Sequence, residues 1–519
     1  MGEIKVLDCT LRDGGRCFGN TWGDETIKNI SYGLSKAGID IIEIGFLWYI
    51  SDGICRENST LFRSFSEIEL FLCPNQNYVT YIEYEVFEKG IYEIIPKEQS
   101  SISGIRLGIL KKDIENSIET MKDIIDKGYQ LYVQGINIFS YSNEELLTFL
   151  KVVNDIKPYA FAIVDTFGTM EEEDLIEKFE LINHNLDMNV AIALHSHNNK
   201  NKSLSLAETL IKISKNRDIV IDGTLLGIGM GAGNLNTELI TQYLNKEKNK
   251  LYDIALLSKL IEKYIKKFCK KFAWGCTPIS IDSAQTWRSQ IEVSYITSRY
   301  KNLSVEQQRY LLAMCPINQG VTLEKIDSYC KLLLAASTAK SDYEKLKEWF
   351  SGKKIVLAGR GPSVLENKEK IVKFIHRQNA MTIYVNAHET DLLHVEGNEV
   401  WYFFSREDGY QFFAENNSAE HIITLAGFKK QANVKDREFA VHVKECAADF
   451  NMVFNDAVMW ILNLLCGMQN QSEIFITGFD GDDSNPLQVK RYKEHISLLR
   501  QNNVIQFLTN SIYEDREKE

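Results

Sequence analysis

From residue 1 to about residue 245, eight short β-rich runs alternate with helical patterns, and few folds accommodate so regular an alternation. The runs are Ile4–Asp8, Ile39–Phe46, Tyr78–Tyr84, Ile102–Leu110, Gln130–Ile138, Phe161–Thr166, Val190–His195 and Ile219–Ile228. Helix signals lie between them. Asp24 precedes Ile27, Ile30 and Leu34 at helical spacing with Gly38 behind, and Ile114, Ile118, Met121 and Ile125 form one apolar stripe. Ser142-x-x-Glu145 and Thr169-x-x-Glu172 have the form of capping boxes. Eight such units over about 250 residues predict a (β/α)8 TIM barrel across residues 1–250; a doubly wound open sheet gives no reason for the count of eight.

At 519 residues the chain is too long for one hydrophobic core, so further domains are expected. Residues 251–350 read as a mostly helical extension, with a basic stretch at Lys263–Lys271 and amphipathic segments at Val305–Met314 and Leu323–Ala336. Ser351-Gly352-Lys353 marks a boundary. A second alternation starts at Ile355–Gly359 and continues through Met381–Val385, Val400–Phe404, His421–Leu425, Phe439–Val443 and Glu473–Thr477, with its clearest helix at Met452–Leu465. Residues 351–519 are predicted to form a Rossmann-like α/β domain. The charged tail Glu514–Glu519 reads as disordered.

A formal charge of -12 argues against nucleic acid as a partner, because phosphate neutralisation needs a basic field. No run is long enough to span a bilayer and the amino terminus lacks the apolar core of a secretion signal, so a cytoplasmic protein is expected. Ten cysteines without a Cys-x-x-Cys pair read as free thiols.

In a barrel of this kind chemistry gathers at the carboxyl ends of the strands. Strand seven ends in His195-Ser196-His197, and residues i and i+2 of a strand share a face, so both imidazoles can reach one ion. Strand one ends in Asp8-Cys9-Thr10-Leu11-Arg12-Asp13-Gly14-Gly15. Asp13 with His195 and His197 makes a two-histidine, one-carboxylate set that leaves coordination positions open. Oxygen ligands from a keto acid favour Mn2+ or Mg2+, with Zn2+ as the alternative. Arg12 can stabilise an enolate oxygen or form a salt bridge across the rim to Glu43. The loop Gly227-Ile228-Gly229-Met230-Gly231-Ala232-Gly233-Asn234 permits close backbone approach, and Asn234, expected to begin the next helix, can cap it or lend its carbonyl to the ion.

Leu7–Gly15, His195-Ser196-His197-Asn198 and the glycine loop, in this order and spacing, resemble the metal-dependent aldolase, lyase and acyl-transferring synthase superfamily. It includes 4-hydroxy-2-oxovalerate aldolase, HMG-CoA lyase and homocitrate and isopropylmalate synthases. The resemblance covers about residues 1–300 and implies that Asp13, His195 and His197 bind a divalent metal, with Asn234 as an extra ligand. It implies that Arg12 holds an enolate and that Glu43 and Asp165 shape the pocket floor. The loop is closer to the oxovalerate aldolases, which points to pyruvate-type carbon–carbon chemistry on a 2-oxo acid and an aldehyde. An acyl-CoA Claisen synthase and a non-catalytic scaffold are the alternatives. One position departs from the pattern: the aldolases carry an acid/base histidine where this chain has Arg16, and an arginine does not readily remove a proton. Arg16 can instead bind a second anionic group. Tyr295, Tyr300 and, less well placed, His184 are the other candidates for the proton path.

In the second domain Gly359-Arg360-Gly361-Pro362-Ser363 follows a strand and enters a helix, a setting that suits an anion or simply makes a turn. With Val385-Asn386 and Gly478-Phe479-Asp480 it is similar to bacterial sialyltransferase-like glycosyltransferases. That similarity implies a nucleotide or nucleotide-sugar pocket at Gly359, Gly361, Ser363 and Asn386, and a place in sugar or surface-glycan metabolism. A purely structural or oligomerising domain is the alternative, and a homo-oligomer is expected.

Overall fold

The computed structural model describes residues 2–47, 58–87, 94–269, 271, 274–286, 290–314, 322–387, 392–416, 421–429, 438–447, 456–481 and 486–514. Residues 452–455 of the expected helix and 515–519 of the tail lie outside them. The chain divides into two compact units, Met1–Ala284 with Ser289–Ser294 and Gln285–Arg288 with Tyr295–Glu519. Among the described residues, no helix is long and apolar enough to cross a membrane, and the eight cysteines are free thiols.

The first unit is a closed barrel of eight parallel strands: β1 (Ile4–Asp8), β2 (Ile41–Leu47), β3 (Tyr78–Glu83), β4 (Gly104–Ile109), β5 (Gln130–Gly135), β6 (Ala160–Asp165), β7 (Ala191–Ser196) and β8 (Ile219–Gly223). Each pairs with its neighbours in sequence, and β1 closes the ring by pairing with both β2 and β8, Ile4 lying opposite Ile219. The period of two divides each strand into an inward and an outward set. Leu7, Ile41, Val79, Tyr132, Ala160, Ala162, Ala191, Ala193 and Val220 meet inside as one core, where the four alanines leave room for Tyr132. Further along the same parity come Cys9, Glu43, Tyr81, Arg106, Gln134, Val164, His195 and Asp222, so the polar residues of the interior lie towards the carboxyl ends.

Two strand ends fall short of the sequence expectation. The run ending at Ile138 stops at Gly135 because Asn137 turns to positive φ (55°). The run ending at Ile228 stops at Gly223, after which Leu226 and Gly227 turn the chain at φ 56° and 62°. Strand β2 carries a bulge between Glu43 and Phe46; a Cβ on Gly45 would lie 2.4 Å from the Thr60 carbonyl, so glycine lets the two-residue strand Leu61–Phe62 approach. Of the two capping boxes, Ser142–Glu145 forms. The other does not, because Thr169 is drawn back to Asp165, and Glu171 with Asp174 caps that helix instead.

Among the described residues the second unit contains seven parallel strands: β9 (Lys354–Ala358), β10 (Met381–Val385), β11 (Val400–Phe404), β12 (His421–Leu425), β13 (Glu438–Val441), β14 (Glu473–Thr477) and β15 (Val504–Phe507). Their order, β13-β12-β11-β10-β9-β14-β15, with helices in most of the crossovers, is that of an open α/β sheet. The order reverses at β9, beside β14.

One buried histidine in this unit has a measurable consequence. His495, on the helix Pro486–Arg500, places Nε2 2.8 Å from Asn463 Oδ1 on the largely buried helix Ala457–Met468. Burial lowers its pKa from 6.5 to about 4. Between those values the unfolded chain takes up a proton that the folded chain refuses, so stability falls as pH drops through this window. The loss is on the order of 3 kcal/mol by pH 4. His495→Gln keeps a donor for Asn463 and is expected to abolish most of that extra acid sensitivity, measured by urea unfolding at pH 7 and pH 4.5.

Candidate metal centre

Local geometry turns the side chains after β1 inward. The amides of Arg12, Asp13 and Gly14 all donate to the Cys9 carbonyl, at 3.1, 2.9 and 3.3 Å, and Thr60 Oγ1 donates to the Leu11 carbonyl at 2.6 Å. Asp13 thereby faces His195 and His197 at the end of β7, and one ligand atom from each of the three lies within 4.8 Å of the others.

The hydrogen bonds of the histidines fix which nitrogen is available. His195 Nδ1 lies 2.9 Å from Asp222 Oδ2, and His197 Nδ1 lies 3.3 Å from the Gly233 carbonyl. Both partners only accept, so each Nδ1 carries the proton and each Nε2 keeps its lone pair. Burial lowers the His197 pKa to about 4, although Asp13 opposes this, so His197 is neutral above that pH. Burial also works against the Asp13 charge, but Arg12, His197, His195 and Arg16 together hold its carboxyl well below the usual range. Asn234 Nδ2 donates to Asp13 Oδ2 at 2.8 Å and to the Ile228 carbonyl at 3.3 Å, while its Oδ1 is buried without a hydrogen bond. Asn234 does not begin a helix as expected; its backbone bridges to His197, and the helix starts at Thr237.

Under this set lies a buried charge network. Arg12 Nε reaches Glu43 Oε2 at 2.7 Å and Arg12 Nη1 reaches Asp13 Oδ1 at 2.7 Å. Glu43 Oε2 is 3.0 Å from Arg106 Nη1, and Arg106 Nη2 bonds Asp222 and, at 2.8 Å, Gln134 Oε1. Burial opposes the Asp222 charge, but Arg106 and His195 outweigh it and lower its pKa. Three buried carboxylates (Asp13, Glu43, Asp222) thus face two buried guanidiniums (Arg12, Arg106), an excess of negative charge that a cation would balance. Cys9 also lies near His195 and Asp222, but burial drives its thiol pKa well above the ordinary value and the thiol donates to the Gly223 carbonyl at 3.3 Å.

A cavity of about 230 Å³ opens above the centre, lined by Arg12, Asp13, Arg16, Tyr81, Gln134, Val164, His195, His197 and others. Burial, with help from Glu83 and against Arg12, pushes the Tyr81 phenol up to about 12. Arg16 lines the cavity, yet its charge is met within the protein: Nη2 donates to Glu83 at 2.7 Å and Nε lies 3.4 Å from Asp13. Glu43 is fully buried and holds Arg12, which lines the cavity.

Asp165 does not join this set. Ala160, Ala162 and Val164 face inward, so parity sends Asp165 outward, where its carboxylate accepts from the amides of Thr169 and Met170 at 2.9 and 3.1 Å. Burial raises it to about 6 despite those bonds; it holds the turn after β6. His184 is also misplaced as a proton carrier, exposed at the end of the helix Glu172–Asn185. Tyr295 and Tyr300 belong to the second unit, where both hydroxyls bond Asp327. Sequence reasoning missed Arg106, Gln134, Asp222 and Tyr81.

The glycine turn of the second unit does not present an anion cradle. Gly359 and Gly361 donate their amides to the Thr477 and Gly478 carbonyls at 2.8 and 2.9 Å. Ser363 gives its amide to Asp480 Oδ2 at 2.8 Å and its hydroxyl to Asp480 Oδ1. The Asp480 carboxylate thus fills the place a phosphate would take, and a Cβ on Gly361 would lie 2.5 Å from it. Asn386 is spent tying β10 to β11 through Ser405, with bonds of 3.0 Å in both directions.

Residues 105–261 match the model of the HMGL-like family. The barrel contains an HMGL-like domain. It is similar to an oxaloacetate decarboxylase of Mycobacterium tuberculosis, 25% identical over 246 residues, and to a 4-hydroxy-2-oxovalerate aldolase of Chloroflexus aurantiacus, 26% identical over 250 residues. Each alignment covers 47% of this chain and 70% of the relative. Among solved structures, an HMG-CoA lyase from Brucella melitensis superposes with a TM-score of 0.42 at 13% identity, over 52% of this chain and all of that one.

Proposed function

We propose that the barrel is a divalent-metal-dependent carbon–carbon lyase that forms or cleaves a bond through the enolate of a 2-oxo acid such as pyruvate. The observation that carries this reading is the convergence of Asp13 and two imidazoles with free Nε2 lone pairs on one buried, net negative point, beside the unpartnered Oδ1 of Asn234. These residues suit Mn2+ or Mg2+, and a bound ion would supply Lewis acidity to the carboxylate and keto oxygens of the substrate. Arg12 is held by Glu43 and Asp13 through Nε and Nη1, so its Nη2 is left for the oxygen that gains charge as the enolate forms. Asp222 and Gly233 keep both histidines in one tautomer and orientation. Ile136, Val164, Phe167 and Met230 give the cavity an apolar wall that limits water around the enolate. The names of the two relatives, a decarboxylase and an aldolase, both fit chemistry that passes through a pyruvate enolate.

Purified protein is expected to bind one Mn2+ per chain and to exchange the methyl protons of pyruvate with deuterated solvent, followed by NMR, and to stop doing so when the ion is chelated. Absence of bound ion, or of exchange with every small 2-oxo acid tried, overturns the reading.

A further inference from the structure

Arg16 stands where a proton carrier was expected and is paired with Glu83, so the aldol proton needs another path. Tyr81 is on the inward face of β3, in the wall of the cavity shared by Arg12, Asp13, His195 and His197. The residue is buried; its ring meets Phe46 edge-on at 5.5 Å between centroids and lies 4.6 Å from the Arg12 guanidinium. Both contacts hold the ring, and neither uses the hydroxyl, which has no hydrogen bond among the described residues. Room for that hydroxyl is kept on the neighbouring strand: a Cβ on Gly108 of β4 would lie 2.1 Å from the Tyr81 oxygen. A rigid phenol that opens on a substrate cavity without a protein partner is suited to a partner on the substrate.

We propose that Tyr81 is the catalytic residue that exchanges a proton with the aldehyde-derived oxygen, an assignment that rests on the lyase reading above. In the condensing direction the enolate carbon donates its pair to the aldehyde carbon and the C=O π pair moves to oxygen. That oxygen takes the Tyr81 proton, and the phenolate remains beside the Arg12 guanidinium. In cleavage the Tyr81 phenol first gives its proton to solvent in the open cavity; the phenolate so formed takes the hydroxyl proton, the C–C bond breaks and its pair returns to the enolate carbon. Enolisation of pyruvate forms no alkoxide, so it does not use this proton.

The test compares two reactions of the full chain loaded with Mn2+: release of pyruvate from 4-hydroxy-2-oxopentanoate, and exchange of pyruvate methyl protons. In Tyr81→Phe, cleavage is expected to fall at least ~100-fold while exchange falls less than about threefold, the size and selectivity of a lost general acid/base. Gly108→Ala keeps the phenol but displaces its oxygen, and is expected to show the same split. Metal-free Tyr81→Phe is expected to unfold at about the wild-type temperature, because the hydroxyl makes no hydrogen bond to the protein and opens on the cavity. Near wild-type cleavage in Tyr81→Phe, an equal loss of both reactions, or a marked loss of stability in the metal-free variant overturns the assignment. A wild type that exchanges pyruvate protons but cleaves no 4-hydroxy-2-oxopentanoate overturns it too, leaving no alkoxide to serve. A wild type that does neither overturns the lyase reading itself.

Discussion

Asp13→Asn protein is expected to bind Mn2+ at least ~100-fold more weakly than wild type and to show no measurable pyruvate proton exchange, with Mn2+ titration by calorimetry as the direct check. The substitution keeps the shape of the side chain and one acceptor oxygen, at the cost of one of the two bonds that Asp13 accepts, from Arg12 Nη1 on Oδ1 and from Asn234 Nδ2 on Oδ2. What it removes is charge. Burial alone would disfavour an ionised Asp13, yet Arg12, His197, His195 and Arg16 hold it ionised well below the usual carboxylate range. It therefore offers a full negative charge at neutral pH. With asparagine in its place the buried carboxylates and guanidiniums balance, and the excess that would draw a cation is gone. An Asp13→Asn protein with wild-type Mn2+ affinity would remove Asp13 from the centre.

Arg106→Met is expected to cost about 3–5 kcal/mol of stability at pH 7, the cost of breaking a buried ion pair from one side. Arg106 is 1% exposed and joins Glu43 to Asp222 while orienting Gln134. Methionine replaces its stem but leaves Asp222 without a guanidinium and Glu43 with Arg12 alone. The pH dependence should change sign. In wild type, burial raises the Asp222 pKa but Arg106 and His195 lower it further, so its contribution is present above the unfolded pKa and is lost as pH falls. Without Arg106 the burial that opposes the Asp222 charge weighs more, so Asp222 takes up its proton more readily and the variant should recover part of its deficit between pH 7 and pH 5. Urea unfolding at both values tests this; a deficit under about 1 kcal/mol, or one that grows on acidification, contradicts it.

Most of the barrel was legible because parallel strands buried on both faces read as apolar runs, and eight of them alternate with capped helices. The histidine pair was legible from its own spacing, whereas its second layer was not. Arg106 and Asp222 sit inside apolar runs on strands far apart in sequence, and only closure brings them together. A signal was available in each: a lone charge inside a core strand requires an opposite one nearby. The outward turn of Asp165 was also readable, since the alanines at 160 and 162 and Val164 set the parity of β6. The glycine turn at Gly359 could not be read so directly. Its sequence fits an anion site, and what fills it is a carboxylate contributed by Asp480, more than a hundred residues later.

The seam between β1 and β8, where Ile4 meets Ile219, has a consequence for how the molecule reaches its working state. Every pairing in the barrel waits on a crossover, and this last one joins residues more than two hundred positions apart, the kind of distant contact that slows folding. Asp13 lies just after one side of the seam, and His195, His197 and Asn234 flank the other. An unclosed barrel holds Asp13 by one free edge and the other three residues by the opposite one, and has no complete binding point. Capture of the ion would then report that the ring has shut, and would bias the chain towards the shut form.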